Sequence, residues 1–134
     1  MLPADAKLDD MLEAMRGFLN LLADERSEEA CAMLDEPNVH GIVWTPTRIH
    51  ELLQETFGPN SRFRNAHPEG PRFTTVDGRA TKWGVSLMAF NSGDGYSAEH
   101  DVPLNGEVSD LTALFEFRYR EQGLAMILDD LHVL

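Results

Sequence analysis

The hydrophobic period of the chain changes once, and this change limits the fold more than any other feature. Up to about residue 57, apolar residues recur every three or four positions, which is the spacing of an amphipathic helix. From Phe73 onward they alternate with a period of two, as in β-strands. We therefore predict an α+β fold with N-terminal helices packed on a curved antiparallel sheet, in a cone-like roll. A chain of 134 residues has the length of one domain, 1–134.

Three helices are predicted in the first half of the chain. An apolar stripe from Leu8 to Leu22 marks the first helix. Ser27 is placed to cap a second, shorter helix, with acidic residues at its positive end. Thr45 is placed to cap the third helix, and Pro46 occupies its first position.

A long surface loop is predicted over residues 58–71, between the helices and the sheet. The loop contains Arg62 and Arg64, and Arg72 follows it directly. These three arginines form the one basic cluster of an acidic chain. An exposed loop is the simplest interpretation of this segment. A contact with an anion is the alternative.

Turn residues divide the second half into antiparallel strands. The predicted strands are Phe73–Val76, Thr81–Phe90, Tyr96–Val102, Leu111–Arg120 and the segment from Gly123 to the C-terminus. Asp77-Gly78 is the clearest hairpin turn, and Pro103–Gly106 is another predicted turn. Met88 and Phe90 make the second face of their strand apolar as well. One layer of helices cannot cover both faces, so we predict a homodimer.

The charge of the chain narrows the classes of partner. Its 23 acidic and 11 basic residues give a formal net charge of −12. This balance disfavours binding to nucleic acid phosphates and to anionic membranes, but is compatible with a basic protein partner. No signal peptide or membrane-length apolar run is visible, so a cytoplasmic protein is expected. The single cysteine, Cys31, excludes an internal disulfide and is read as a small hydrophobe.

The last strand contains the main candidate for catalysis. Strict alternation would put the following residues on one face: Leu124, Met126, Leu128, Asp130 and His132. A carboxylate beside an imidazole is the minimal part of a general base, so Asp130 and His132 are the candidate catalytic residues. The alternative is that the polar residues protect an exposed strand edge from pairing.

Metal and cofactor motifs are incomplete. His50 and Glu51 begin like a zinc-protease helix, but Gln54 stands where the second histidine is required. Asp94, Glu99, His100 and Asp101 could together hold a cation, although the order of a calcium loop is missing and a solvated loop is the simpler interpretation. No cofactor is therefore predicted.

Three aromatic residues are the candidates for lining an apolar pocket. Trp44, Trp83 and Tyr96 each combine a large apolar body with a polar tip, which suits the binding of a small apolar ligand. Ordinary core packing is the alternative.

The order of the elements resembles a known superfamily. Three N-terminal helices followed by a hairpin and long antiparallel strands resemble the nuclear-transport-factor-2-like, or cystatin-like, superfamily. The segments Ser109–Thr112 and Ile127–Val133 are also similar to a small uncharacterised bacterial domain family. The first resemblance implies a curved sheet whose late strands line a concave pocket. Neither resemblance implies an activity.

Two functional classes follow from these observations. The favoured one is a non-catalytic module that binds a ligand or a protein, including an immunity-type protein that neutralises a basic toxin. The alternative is a small pocket enzyme of the isomerase or hydratase type that uses Asp130 and His132.

Overall fold

A computed structural model describes residues 1–76 and 84–133. Helices come first and strands follow, as the change of period predicts. The helices are α1 (Leu8–Ala23), α2 (Ser27–Ala32), α3 (Pro46–Thr56) and α4 (Arg62–Ala66). The strands are β1 (Val85–Ala89), β2 (Gly95–Leu104), β3 (Glu107–Arg120) and β4 (Gly123–Val133). The α+β prediction is confirmed.

The apolar stripe of α1 packs against the inner face of the sheet. Its buried residues are Met11, Met15, Phe18, Leu19 and Leu22. The ring of Phe18 meets that of Phe115 edge to face, with 5.7 Å between their centroids. Leu8 was predicted on the same stripe, but it starts the helix and is 55% exposed. The first helix therefore joins the core through its later turns.

Capping residues begin α3 where the sequence predicts. The Thr45 hydroxyl accepts a hydrogen bond from the Arg48 amide at 3.2 Å, and Pro46 is the first helical residue. The cap predicted for the second helix was wrong by one residue: Ser27 is the first residue of the helix, and Arg26 is in the cap position with no side-chain cap hydrogen bond.

The predicted loop 58–71 was only partly correct, because it contains α4. Ser61 caps this helix by accepting a hydrogen bond from the Arg64 amide at 3.3 Å, and Phe63 packs against the core. A five-residue helix is too short to show a hydrophobic period in the sequence. The arginines of the predicted basic cluster have different neighbours: Arg64 donates to the Gln54 side chain at 2.7 Å, while Arg62 is exposed.

The sheet is an open antiparallel meander in the order β1-β2-β3-β4. Its central turn is shorter than predicted, because β2 continues to Leu104 and β3 already starts at Glu107. Asn105 and Gly106 form the turn with φ values of 53° and 82°, a left-handed pair that suits a tight hairpin. In the predicted first strand, Phe73 forms an isolated bridge with Leu104. The predicted Asp77-Gly78 turn lies outside the described residues.

The two faces of the sheet have different coverings. Phe115 and Phe117 lie in the core, whereas Glu116 and Arg118 point to the outer face. The Arg118 guanidinium lies 4.0 Å from the centroid of the Phe90 ring and covers part of it. Met88 is 66% exposed.

Side chains and loops cover much of the outer edge of β4. The amide and carbonyl of Leu2 pair with those of Leu124 at 3.0 and 2.8 Å. Further along, the Asp35 amide donates to the Met126 carbonyl at 2.8 Å, and the Asp35 carboxylate accepts from the Met126 amide at 2.8 Å. A strand edge whose hydrogen-bonding groups are satisfied in this way cannot template another strand.

None of the helices among the described residues is both long enough and apolar enough to cross a membrane.

Candidate functional site

The leading candidate site is a cavity of about 410 Å³ between α3–α4 and the β2–β3 hairpin, which we call the hairpin cavity. Its volume lies within the range of small-molecule pockets. Residues from three separate parts of the chain line it: the helices, the hairpin and the end of β4 at Val133.

A row of three rings forms the helical wall of the hairpin cavity. The centroids of Phe57 and Phe63 are 4.7 Å apart, and those of Phe63 and His67 are also 4.7 Å apart. Phe63 and His67 are four residues apart, so α4 and its C-terminal cap place them on the same side. This wall can take a flat or aliphatic group by stacking.

The opposite wall comes from the hairpin that the Asn105–Gly106 turn closes. Val108 lines the cavity and is 43% exposed. Glu107 and Asp110 also line it, and both are exposed. Neither carboxylate forms an ion pair within residues 1–76 and 84–133. Two anionic groups with no protein partner there thus stand beside an apolar wall.

The positive charges at the hairpin cavity are fewer. Arg62 lines the cavity and, within the described part of the chain, has no carboxylate partner. The His67 ring nitrogen Nδ1 lies 3.4 Å from the Glu69 carboxylate, which offsets any charge on the imidazole. Within the described residues, the rim therefore has two carboxylates and one guanidinium that form no ion pair.

Asp130 and His132 form the predicted pair, on a face that strict alternation does not predict. The His132 Nδ1 atom lies 2.8 Å from the Asp130 carboxylate. A β-bulge at Asp129 shifts the register, so that Asp130 pairs with Leu114 while Leu128 pairs with Phe115. The bulge turns both polar residues to the outer face, away from the core face of Leu128.

The Asp130–His132 pair is partly exposed to solvent. The side chains are 45% and 37% exposed respectively. Neither lines any of five cavities in the described part of the chain. A general base needs a substrate held against it and protected from water. The pair has the internal geometry of a base. Thr112, the cross-strand partner of His132, lines a cavity of about 240 Å³ on the outer face, but neither side chain of the pair lines it.

Trp44 lies at the edge of β4. It is 7% exposed, and its indole Nε1 donates a hydrogen bond to the Leu128 carbonyl at 2.7 Å. Asn38 similarly donates to the Asp129 carbonyl at 2.9 Å. The polar tip of Trp44 is thus used for closing the strand edge, although the residue also borders a small cavity of about 200 Å³.

Tyr96 and Trp83 do not join Trp44 in one described site. Tyr96 lies on β2, packed against the core and 6.3 Å from the Tyr119 ring. A hydrogen bond with Tyr96 raises the pKa of the Tyr119 phenol. Trp83 lies outside the described residues.

The proposed cation cluster is not formed as such. His100 is fully buried in β2, where its Nδ1 lies 2.6 Å from the Asp101 carbonyl and its Nε2 accepts from Arg16 Nε at 3.1 Å. Burial lowers the pKa of His100, and the nearby Arg16 charge acts in the same direction. Among residues 1–76 and 84–133, no three His, Cys, Asp or Glu side chains are placed to hold a metal ion.

Sequence reasoning did not find the hairpin cavity. Its walls come from segments that are far apart in the sequence, 56–67, 104–110 and Val133, and the wall from α4 lies in the segment predicted as a loop. The available signal was the pair Phe63 and His67 at helical spacing after the potential cap Ser61.

Comparison of the chain with known family models, curated proteins and solved structures gave no match.

Proposed function

We propose that this chain is a non-catalytic binding module whose binding site is the hairpin cavity. The observation that carries the proposal is the composition of this cavity: three packed rings line it together with a hairpin whose two carboxylates have no ion-pair partner among residues 1–76 and 84–133. Binding sites typically combine an apolar wall with a few polar groups that fix orientation.

The position of the acid–base pair also supports a non-catalytic role. The one candidate general base, Asp130–His132, lies on the outer face of the sheet. The hairpin cavity is lined by Val133 and by residues from the helices and the hairpin instead. A ligand in this cavity would be held without the proposed base against it.

Membership of the nuclear-transport-factor-2-like superfamily remains a proposal. The order of helices before an antiparallel meander agrees with it. An immunity-type protein is one form that a binding module with a net charge of −12 can take.

The alternative proposal is a pocket enzyme of the isomerase or hydratase type. The specific observation in its favour is the 2.8 Å contact between His132 and Asp130. It requires a substrate surface on the outer face, where Thr112, the cross-strand partner of His132, lines a cavity of about 240 Å³.

The binding proposal can be tested by NMR with indole as a neutral planar probe. We expect saturable shifts of backbone amides in α4 and the β2–β3 hairpin, since indole can stack on the aromatic wall. Val108→Trp should abolish them by filling the cavity mouth. Val39→Trp is the matched control, because Val39 is 67% exposed and does not line any of the five cavities. Shifts that are absent, lie elsewhere or survive Val108→Trp would refute the proposal.

A further inference from the structure

We infer that the hairpin cavity receives an arginine side chain of a basic protein partner. The inference rests on the proposed function and names the chemistry of its ligand. It follows from three properties of the cavity: its rings, the charges on its rim and its volume.

The aromatic wall favours a planar cation. A guanidinium group stacks on aromatic faces, and attraction by the ring quadrupole adds to the contact. The same contact already occurs elsewhere in this protein, where Arg118 lies 4.0 Å from the centroid of the Phe90 ring. In the hairpin cavity Phe57 is only 6% exposed, so the ring surface available for such a contact comes from Phe63 and His67, which are partly exposed.

The hairpin wall supplies the opposite charge. Glu107 and Asp110 are exposed and have no ion-pair partner in the described part of the chain. Carboxylates accept the paired N–H groups of a guanidinium in a fork geometry that an ammonium group cannot match. These carboxylates line the same cavity as the rings, so a guanidinium bound there has hydrogen-bond acceptors in the same site.

Arg62 places one positive charge among the residues that line the cavity. Its positive charge opposes a polycation, but it can pair with a carbonyl or an acidic side chain beside the bound arginine. The net charge of −12 adds a field that speeds the approach of a basic partner without selecting this position. A volume of about 410 Å³ leaves room for one side chain and part of its neighbour.

The test is calorimetric titration of the full chain with a nonaarginine peptide at physiological salt. We expect saturable binding to wild type, and about tenfold weaker binding to Glu107→Gln/Asp110→Asn, because two charge-assisted contacts are lost. Asp5→Asn/Glu28→Gln is the matched control. It removes the same two charges from exposed positions that do not line any of the five cavities, and should bind within about twofold of wild type.

Two further titrations constrain the mode of binding. Arg62→Gln should strengthen nonaarginine binding, because it removes a positive charge that lines the cavity. Nonalysine should bind at least about threefold more weakly than nonaarginine, since an ammonium does not stack as a guanidinium does.

The inference is overturned if wild type does not bind nonaarginine, if the control pair weakens binding as much as the rim pair, or if nonalysine binds equally well. Any of these results, together with indole binding in the cavity, would leave the proposed function standing without its arginine ligand. If the wild-type protein also fails to bind indole in the cavity, both the arginine inference and the proposed function are refuted.

Discussion

The imidazole of His100 is held in one protonation state by its two neighbours. The Asp101 carbonyl can only accept and the Arg16 Nε–H can only donate, so Nδ1 carries the proton and Nε2 is the acceptor. The contact ties α1 to β2 inside the core. A second proton on the ring would break the hydrogen bond from Arg16 and place two cations together.

This geometry predicts a dependence of stability on pH. Burial, followed by the Arg16 charge, lowers the pKa of His100 in the folded state, although the Asp101 carbonyl and carboxylate oppose the shift. The unfolded chain therefore binds more protons just below pH 6.5, and the free energy of unfolding rises with pH there. The contribution is complete above about pH 6.5 and is lost as the pH falls toward the folded pKa.

Urea unfolding at about pH 7.5 and about pH 5 measures this effect. We expect wild type to lose more stability on acidification than His100→Gln, because glutamine can still accept from Arg16 and does not titrate. Equal losses in the two proteins would contradict the role assigned to His100.

The Asp130–His132 pair is expected to contribute little to stability, because both side chains are more than a third exposed. Asp130→Asn and His132→Gln should each change the free energy of unfolding by no more than about 0.5 kcal/mol. Thermal unfolding of the two variants checks this. A loss of several kcal/mol would mean that the pair has a structural role at the bulge.

At the scale of elements, the edge of β4 depends on segments distant in sequence. Leu2, Asp35, Asn38 and Trp44 all hydrogen-bond to its backbone. They satisfy groups that would otherwise face water or another strand. The chain before α3 thus acts as a covering for the last strand.

Trp44→Phe tests one contact of this covering, the hydrogen bond from the indole to the Leu128 carbonyl. The phenyl ring retains much of the packing but cannot donate to the Leu128 carbonyl, so we expect a loss of about 1–2 kcal/mol. Urea denaturation measures the change, and its slope should stay unchanged. A loss below about 0.3 kcal/mol would show that water replaces the indole at this edge.

The elements that the sequence predicts well are those with a repeated local signal. The stripe of α1, the cap of α3 and the alternation of Phe115 and Phe117 each repeat or mark a boundary, and each is confirmed. The bulge at Asp129 has no such signal, because one inserted residue looks like ordinary alternation until the partner strand is known. The faces of Asp130 and His132 were therefore predicted wrongly, although their contact was predicted correctly.

At the scale of the whole molecule, the outer face of the sheet is mixed. Met88 is exposed, but Phe90 is covered by Arg118, which also pairs with Glu116 at 3.1 Å. The apolar surface that motivates a homodimer is thus smaller than the sequence suggests. Self-association through this face remains a prediction.

Sedimentation velocity at micromolar concentration tests the homodimer. We expect a dimer for wild type and a shift toward monomer for Met88→Lys, because the charge would be buried at the centre of the contact. Val39→Lys is the control, as Val39 is exposed on a different part of the molecule. A wild-type monomer would remove the dimer and leave the hairpin cavity unaffected.

The most direct test of the central claim compares the hairpin cavity with the Asp130–His132 pair in one binding measurement. Indole affinity would be determined by calorimetry for wild type, Val108→Trp and Asp130→Asn/His132→Gln. A binding module that uses the hairpin cavity predicts at least about tenfold weaker binding for Val108→Trp, and affinity within about twofold of wild type for the outer-face variant. The reverse pattern would contradict the account and move the functional site to the outer face of the sheet.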